Sequence, residues 1–167
     1  MTIRVGERLP DARFMELDAD GPMERRSGEI FGGRRVALLA VPGAFTRTCS
    51  AAHLPSFMRT ADGFRAAGID EIACVAVNDP FVMRAWAEAT GADATGIRML
   101  ADADGAFAEA IGMLQDIPPI GLYRRSRRYS MLVEDGVVRQ LNLETGRECD
   151  ISAGETLLDQ IRSGAAA

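Results

Sequence analysis

The sequence predicts an α/β fold in which helices flank a mixed β-sheet. Short apolar runs alternate with segments of helical spacing over most of the chain, which is typical of parallel strands covered by helices. Near the C-terminus, Asp135-Gly136 separates two apolar runs, and this dipeptide favours an antiparallel hairpin. The 167 residues carry no repeat and no low-complexity linker. We therefore expect one domain that spans residues 1–167.

The first half of the chain contains two strand–helix pairs. Residues 34–41 form a short apolar run that ends at Pro-Gly, which predicts a buried strand. Residues 49–67 then place apolar side chains three and four positions apart, and Gly68 is a natural helix stop. Residues 69–77 are a second apolar run. A helix follows over residues 80–89, with its proline in the first turn.

The second half continues with shorter elements and then the hairpin. The predicted elements are a strand over residues 97–101, a helix over 104–111, hairpin strands over 128–133 and 137–142, and a last helix over 153–162. Asp104 is the expected cap of the short helix. Residues 8–33 are polar and dotted with glycine, so we expect short N-terminal strands or turns. Residues 164–167 are expected to fray.

The charge balance excludes some classes of partner. The 19 basic residues are all arginine, and 24 acidic residues give a net charge of -5. This acidic balance disfavours sequence-independent binding to nucleic acid or to an anionic membrane surface. No stretch reaches the roughly 20 apolar residues of a membrane span, and the N-terminus lacks the pattern of a signal peptide. The expected location is cytoplasmic.

Three cysteines and one histidine limit the chemistry that the chain can perform. Cys49, Cys74 and Cys149 lie far apart in the sequence, which excludes a zinc site built from paired Cys-x-x-Cys clusters. An odd and sparse set of cysteines also excludes a disulfide-stapled scaffold. A mechanism that needs a strong nucleophile therefore depends on very few residues.

Cys49 is the candidate nucleophile, because it falls where the first predicted strand gives way to the first long helix. Ligands of α/β sheets meet the carboxyl ends of the strands. The first turn of a helix also stabilises an anion through its free N–H groups and its dipole, so a cysteine there is expected to be more thiolate in character. Thr46, at or near the N-cap, can orient a polar substrate. The alternative is that Cys49 is a small buried core residue.

The segment around Cys49 carries the most specific pattern in the chain. Residues 42–49 contain Pro-x-x-x-Thr-x-x-Cys, within the longer run VPGAFTRTCSAAHLPSF. Further matching runs are ACVAVND at residues 73–79, Trp86, LAD and GAF within residues 100–107, and RYSMLVEDGVV at residues 128–138. Together they resemble the type II, peroxiredoxin-5-like branch of the peroxiredoxins over essentially the whole chain. Arg47 stands where that family usually has proline, so we expect an altered pocket rim.

The resemblance implies a decorated thioredoxin fold and a thiol-dependent peroxidase that reduces hydrogen peroxide and small alkyl hydroperoxides. Cys49 would be the peroxidatic nucleophile, which becomes a sulfenic acid. Thr46 would hold the peroxide oxygen and Pro42 would shield the thiolate. Arg128 would stabilise both the thiolate and the transition state, a role that suits a side chain which stays charged. The implied chemistry uses no metal, haem or flavin cofactor.

The resemblance also implies partners. The reductant would be glutathione with a glutaredoxin, or thioredoxin. The family commonly forms homodimers that pack near the active-site loops. Phe45, Phe81 and Trp86 are candidate apolar contacts for such a dimer, and burial in the core is the alternative for each of them.

Arg128 belongs to a cluster of four arginines, at positions 124, 125, 127 and 128. Such a cluster usually forms a solvated face, and a nucleic-acid surface is disfavoured by the net charge. Strand alternation places Arg128 with Ser130 and Leu132 on one face and Arg127 on the other. Only one of the two neighbours can therefore serve a single pocket, and the resemblance selects Arg128.

The remaining cysteines and the histidine have several possible roles. Cys74 lies among small apolar residues of a predicted strand, so we expect an inert buried thiol. Cys149 follows a loop-like stretch where some type II peroxiredoxins carry a resolving cysteine, although its position needs a small offset. Many other members lack that cysteine and use an external thiol. His53 lies one helical turn after Cys49, and a structural or supporting role is preferred to that of a hydrolase base.

Two functions of other classes compete with the peroxidase. The first is a thioredoxin-fold interaction or chaperone module without peroxidase activity, and the second is a cysteine hydrolase. The joint presence of Pro42, Thr46, Cys49 and Arg128 argues against the first, since a binding module has no evident need for all four. The second lacks a suitable acid and base pair.

Overall fold

The strands form one seven-stranded mixed sheet and a separate two-stranded hairpin. The structure, a computed structural model, describes residues 1–164. The strands are β1 (Arg13–Asp18), β2 (Gly21–Arg26), β3 (Arg35–Ala40), β4 (Glu71–Ala76), β5 (Arg98–Ala101), β6 (Leu114–Ile117), β7 (Leu122–Ser126), β8 (Tyr129–Glu134) and β9 (Val137–Leu143). The order in the large sheet is β2-β1-β5-β4-β3-β8-β9.

The large sheet has a parallel centre and antiparallel flanks. β4 pairs in parallel with β3 on one side and with β5 on the other. β8 runs antiparallel to β3 and is joined to β9 as a hairpin through Asp135-Gly136. At the opposite edge, β1 and β2 form a second hairpin, so the short N-terminal strands expected between residues 8 and 33 are present. The mixed sheet predicted from the sequence is confirmed.

Helices cover both faces of this sheet. They are α1 (Ser27–Phe31), α2 (Leu54–Ala66), α3 (Pro80–Thr90), α4 (Ala106–Ala110) and α5 (Gly154–Arg162). The helices α2, α3 and α5 contribute to one apolar core, and α1 and α4 contribute to the other. The fold is therefore three layers, with a hydrophobic core on each side of the sheet.

Alternation along the central strands divides their side chains between the two cores. Leu39 of β3 packs on the α2 side, and its neighbour Leu38 packs on the α1 side. In β8, Leu132 joins the α2 side while Met131 joins the other core. This confirms the alternation predicted for the segment that follows Arg128. Trp86, considered as a dimer contact, is buried in the core instead.

The hairpin of β6 and β7 was not predicted. Its strands are mostly polar and only partly buried, so apolar alternation does not mark them. Pro118-Pro119, between the two strands, is a local turn signal without apolar runs on either side. The pair lies outside the large sheet and leads the chain directly into Arg128. The last residues expected to fray, 165–167, lie outside the described residues.

Two helix starts differ in detail from the prediction. The first turn before α2, Cys49–His53, is a wide π-type turn in which the N–H of Leu54 bonds the carbonyl of Cys49. The short helix α4 begins at Ala106 rather than at residue 104. The buried carboxylate of Asp102 accepts two N–H groups at this helix start, whereas Asp104 accepts one, from Ala106. Both side chains therefore cap α4.

Candidate active site

The loop between β3 and the first helical turn leads to Cys49. Helical geometry begins at Arg47, so Cys49 lies in the first turn as expected, and it is fully buried. Pro42 is also buried. The side-chain oxygen of Asn78, just beyond β4, accepts the N–H of Ala44 at 2.9 Å. Because β3 and β4 are parallel, their carboxyl ends meet at one edge of the sheet, and Asn78 fixes the loop there.

The same loop is strained and closely packed. Phe45 has a φ of 65°, in the left-handed region that a non-glycine residue rarely adopts, and its ring is 57% exposed. The guanidinium of Arg125 donates to the carbonyl of Val77 at 3.0 Å. A Cβ atom at Gly43 would lie 3.2 Å from Arg125 Nη1, so a larger residue would press against that guanidinium. Neighbouring segments therefore hold the loop in an unusual conformation.

Two donors converge on the sulfur of Cys49. The hydroxyl of Thr46 lies 2.8 Å from Sγ, and Nη2 of Arg128 lies 3.2 Å from it. The Thr46 hydroxyl is also 2.8 Å from the carbonyl of Gly43. One hydroxyl proton can serve only one of these acceptors at a time. When Cys49 is a thiolate, the proton of Thr46 turns to the sulfur, so both donors stabilise the anion.

Arg128 reaches the sulfur because of the pairing between β3 and β8. Ala40 lies opposite Tyr129 in this antiparallel register, which places Arg128 at the end of β3 where the active-site loop begins. The side chain is almost fully buried, with 4% exposure. Its Nη1 lies 3.1 Å from Nδ1 of His53. Within residues 1–164, its Nε has no hydrogen-bond partner.

His53 supports Arg128 and is not placed as a base for Cys49. Its Nε2 lies 3.0 Å from the carbonyl of Ser152, an acceptor, so Nε2 carries the ring proton and Nδ1 accepts from Arg128. Burial, followed by the positive charge of Arg128, lowers the pKa of His53 to about 3. Both ring nitrogens are thus engaged in a neutral imidazole. This supports the expected supporting role and disfavours the hydrolase.

Cys149 lies near this network without touching the sulfur of Cys49. Its Sγ is 3.9 Å from the hydroxyl of Ser152, and its side chain is half-buried. Burial, more than any other cause, raises the pKa of the Cys149 thiol. All three cysteines are free thiols in this structure. Cys74 is completely buried in β4, and burial also raises the pKa of its thiol, which agrees with the expected inert role.

The structure therefore brings together Cys49, Thr46 and Arg128, with Pro42 buried at the start of their loop. Cys149 is connected to this group only through Ser152 and His53. Asn78 and Ser152 support this group and were missed in the sequence. A signal for Asn78 existed, because it follows a buried strand at the edge where the site lies. Ser152 contributes its backbone carbonyl. Every residue type has such a carbonyl, so the sequence carries no signal for this role.

Residues 1–164 offer neither a metal-binding cluster nor a membrane-spanning helix. This part of the chain contains no group of three or more His, Cys, Asp or Glu side chains that could hold a metal ion. It also contains no helix that is long and apolar enough to cross a membrane.

Known proteins are similar to this chain in sequence and in fold. Residues 4–158 match the Redoxin family. The protein named Peroxiredoxin-2E-2, chloroplastic, from Oryza sativa subsp. japonica is 47% identical over 161 residues, which cover 94% of this chain and 72% of that protein. The reduced Prx3 of Vibrio vulnificus in complex with H2O2 has a TM-score of 0.91 and 43% identity, covering 96% of this chain and 99% of that one.

A third relative connects the chain to the branch suggested by its motifs. Peroxiredoxin 5 from Alvinella pompejana has a TM-score of 0.83 and 35% identity, over 96% of this chain and 99% of that one. The similarity therefore spans both sequence and fold along nearly the full length. The chain belongs to the Redoxin family, and it is a thiol-dependent peroxidase of the type II, peroxiredoxin-5-like branch with a decorated thioredoxin fold.

Proposed function

We propose that Cys49 is the peroxidatic residue and that hydrogen peroxide and small alkyl hydroperoxides are its substrates. The thiolate attacks one peroxide oxygen, the O–O bond breaks, and the second oxygen leaves as hydroxide or alkoxide, which takes up a proton. The products are a Cys49 sulfenic acid and water or an alcohol. The observation that carries this assignment is the convergence of Thr46 and Arg128 on Cys49 Sγ, at 2.8 and 3.2 Å.

Arg128, Thr46 and Pro42 each have a separate role in the reaction at Cys49. Arg128 carries a permanent positive charge, so it stabilises the thiolate and then the charge that develops on the peroxide oxygens. The Thr46 hydroxyl can change its acceptor from Gly43 to a bound peroxide oxygen without moving its own backbone. Pro42 is buried at the start of the loop, and its apolar ring is assigned the shielding of the thiolate from water.

Peroxide consumption with dithiothreitol tests the assignment. We expect Cys49→Ser to lose all measurable turnover, and Cys74→Ser, the matched control at a buried thiol, to retain it. Arg128→Lys keeps the charge but loses the fixed fork of donors, so the oxidation rate constant should fall about tenfold or more. Turnover that survives Cys49→Ser would refute the assigned nucleophile.

We infer that an external thiol reduces the sulfenic acid, either glutathione with a glutaredoxin or thioredoxin. The support is that Cys74 is completely buried and Cys149 does not contact the Cys49 sulfur, so neither lies ready to attack it. Turnover coupled to each purified reducing system in turn would identify the donor. Failure of both systems, with dithiothreitol still active, would contradict this inference.

A resolving role for Cys149 is the second candidate for this step. It is favoured by the chain of contacts from Cys149 through Ser152 and His53 to Arg128. Its raised pKa and partial burial mean that its loop must move before the thiol can attack. Thiol counting after one peroxide turnover decides the matter. Loss of two thiols in the wild type and one in Cys149→Ser would support it, whereas equal loss would exclude it.

We infer a homodimer that packs near the active-site loop. Phe45 and Phe81 support it, because their rings are 57% and 59% exposed and both follow strands that end at the active-site edge. Sedimentation analysis of the wild type and of Phe81→Glu tests this interface. A dimer that the substitution converts to a monomer is the expected result, and an unchanged state would refute it.

Two expectations from the sequence stay predictions. One is that residues 1–167 form a single domain. The other is a cytoplasmic location. An interaction or chaperone module without peroxidase activity is the less favoured function, since it gives no reason for two donors to be directed at one buried sulfur.

A further inference from the structure

Glu144, which no motif singled out, closes a ring of hydrogen bonds around the candidate site. Its backbone N–H donates to the carbonyl of Arg128 at 3.0 Å. Its Oε1 accepts the N–H and the hydroxyl of Ser152, both at 2.8 Å, and the N–H of Asp150 at 2.6 Å. Glu144 as a whole residue is 8% exposed, and its carboxylate forms no ion pair within residues 1–164. Three donors on one oxygen therefore hold a buried charge in place.

The ring continues from Ser152 back to Arg128. The carbonyl of Ser152 faces Nε2 of His53 at 3.0 Å, and Nδ1 of the same ring faces Nη1 of Arg128 at 3.1 Å. A carbonyl can only accept, so it selects the tautomer with the proton on Nε2. The opposite tautomer would direct an N–H toward the cationic guanidinium. The position of the Ser152 carbonyl therefore decides whether His53 can hold Arg128.

Arg128 needs this support because its other partner changes during the reaction. Its guanidinium has two hydrogen-bond partners within residues 1–164, the sulfur of Cys49 and Nδ1 of His53, and its Nε has none. The sulfur passes from thiolate to sulfenic acid during turnover. His53 is thus the contact that persists through the cycle, and its orientation is set from the far side by Ser152.

We propose that Glu144 is a positioning residue for the peroxidase reaction, which acts through Ser152 and His53 to hold the Arg128 guanidinium against Cys49. This rests on the roles proposed above for Cys49 and Arg128. Without the carboxylate, the loop of residues 145–152 loses three hydrogen bonds and the Ser152 carbonyl is no longer held in position. His53 then no longer fixes the orientation of the Arg128 guanidinium. A misplacement of about 1 Å can slow a reaction by up to about a hundredfold.

The test is the rate constant of Cys49 oxidation by hydrogen peroxide in a single turnover, measured at low temperature in variants that remain folded by circular dichroism. We expect Glu144→Ala to be slower by about tenfold to a hundredfold. Glu144→Gln keeps one acceptor oxygen and should lie between Ala and wild type, and it serves if the alanine variant does not fold. Glu148→Ala, an exposed acid in the same loop, is the control and should match wild type.

A double-substitution cycle distinguishes positioning from mere stabilisation. If Glu144 acts through His53, Glu144→Ala should cause no further slowing in a His53→Leu background. The same slowing in both backgrounds, or a wild-type rate in folded Glu144→Ala, would overturn the proposal. Arg128→Lys distinguishes failure of the role proposed for Glu144 from failure of the role proposed for Arg128. If it is slow while Glu144→Ala is normal, only the role of Glu144 fails, whereas a normal Arg128→Lys would refute the proposed role of Arg128 itself.

Discussion

Acidification should destabilise the native protein through His53. The ring is buried and neutral, and its pKa falls from 6.5 to about 3 on folding. Between these values the unfolded chain binds a proton that the native chain does not. The free energy of unfolding therefore decreases as the pH falls through this window, by about 1.4 kcal/mol for each pH unit well below 6.5. From about pH 7.5 to about pH 5 the loss is about 2 kcal/mol.

Urea unfolding at several pH values measures this loss, and His53→Asn is the comparison because it removes the titrating group. The difference in the free energy of unfolding between the two proteins isolates His53 from other groups. The comparison also cancels the contribution of Asp102, which is present in both proteins. Burial raises the pKa of Asp102, so its contribution to the free energy of unfolding changes with pH in the opposite direction to that of His53. The wild type should lose about 2 kcal/mol more than His53→Asn over the range. Parallel pH profiles would show that the pKa of His53 is the same in the native and unfolded states, and would refute the buried neutral ring on which the tautomer assignment rests.

Three further predictions concern packing and the active-site loop. Gly154→Ala should lower the free energy of unfolding by about 1–3 kcal/mol, because its Cβ would lie 2.6 Å from the carbonyl oxygen of Ser56. Gly28→Ala lies in α1 with nothing within 4 Å of the added Cβ, so it should not lower the stability in the same thermal melts. Asn78→Ala leaves the Ala44 N–H without its acceptor. Peroxide kcat/KM should therefore fall by about tenfold, and the free energy of unfolding should fall by about 1–2 kcal/mol. An unchanged kcat/KM would show that Asn78 does not support the active site. Thr46→Val should slow Cys49 oxidation by about 10- to 100-fold while Thr46→Ser stays near wild type; equal rates for the two would show that the hydroxyl is not used.

The alternation of apolar runs and helical segments predicted the central part of the fold. Side chains of β3 and β8 are buried alternately in the two cores, one on each face of the sheet. Burial on both faces requires apolar residues along these strands, and such runs can be recognised in the sequence. The hairpin of β6 and β7 escaped prediction because it has solvent on much of its surface, and burial imposes no pattern on it. The wide turn at Cys49–His53 escaped for a different reason, since its carbonyl pairing shifts by one residue without any change in residue type.

The site was predictable where its chemistry is local. Pro42, Thr46 and Cys49 lie within one short segment, and their spacing alone places a hydroxyl beside a thiol at a helix start. Arg128 could be chosen over Arg127 only by resemblance and by strand alternation. The role of Cys149 stayed open, because it depends on neighbours that are remote in sequence, whereas a structural or supporting role was already preferred for His53.

The sequence by itself determined the fold class, the family resemblance and the candidate nucleophile. The fold class follows from local periodicity, and the resemblance and the nucleophile follow from short motifs. Only the tertiary structure decided how Arg128, already selected by the resemblance, reaches the sulfur and what holds it there. Arg128 is 79 positions from Cys49, and Ser152 is 99 positions from His53. The register of β8 on β3 and the carboxylate of Glu144 bring them together. Such contacts depend on the packing of whole elements, which no single segment encodes.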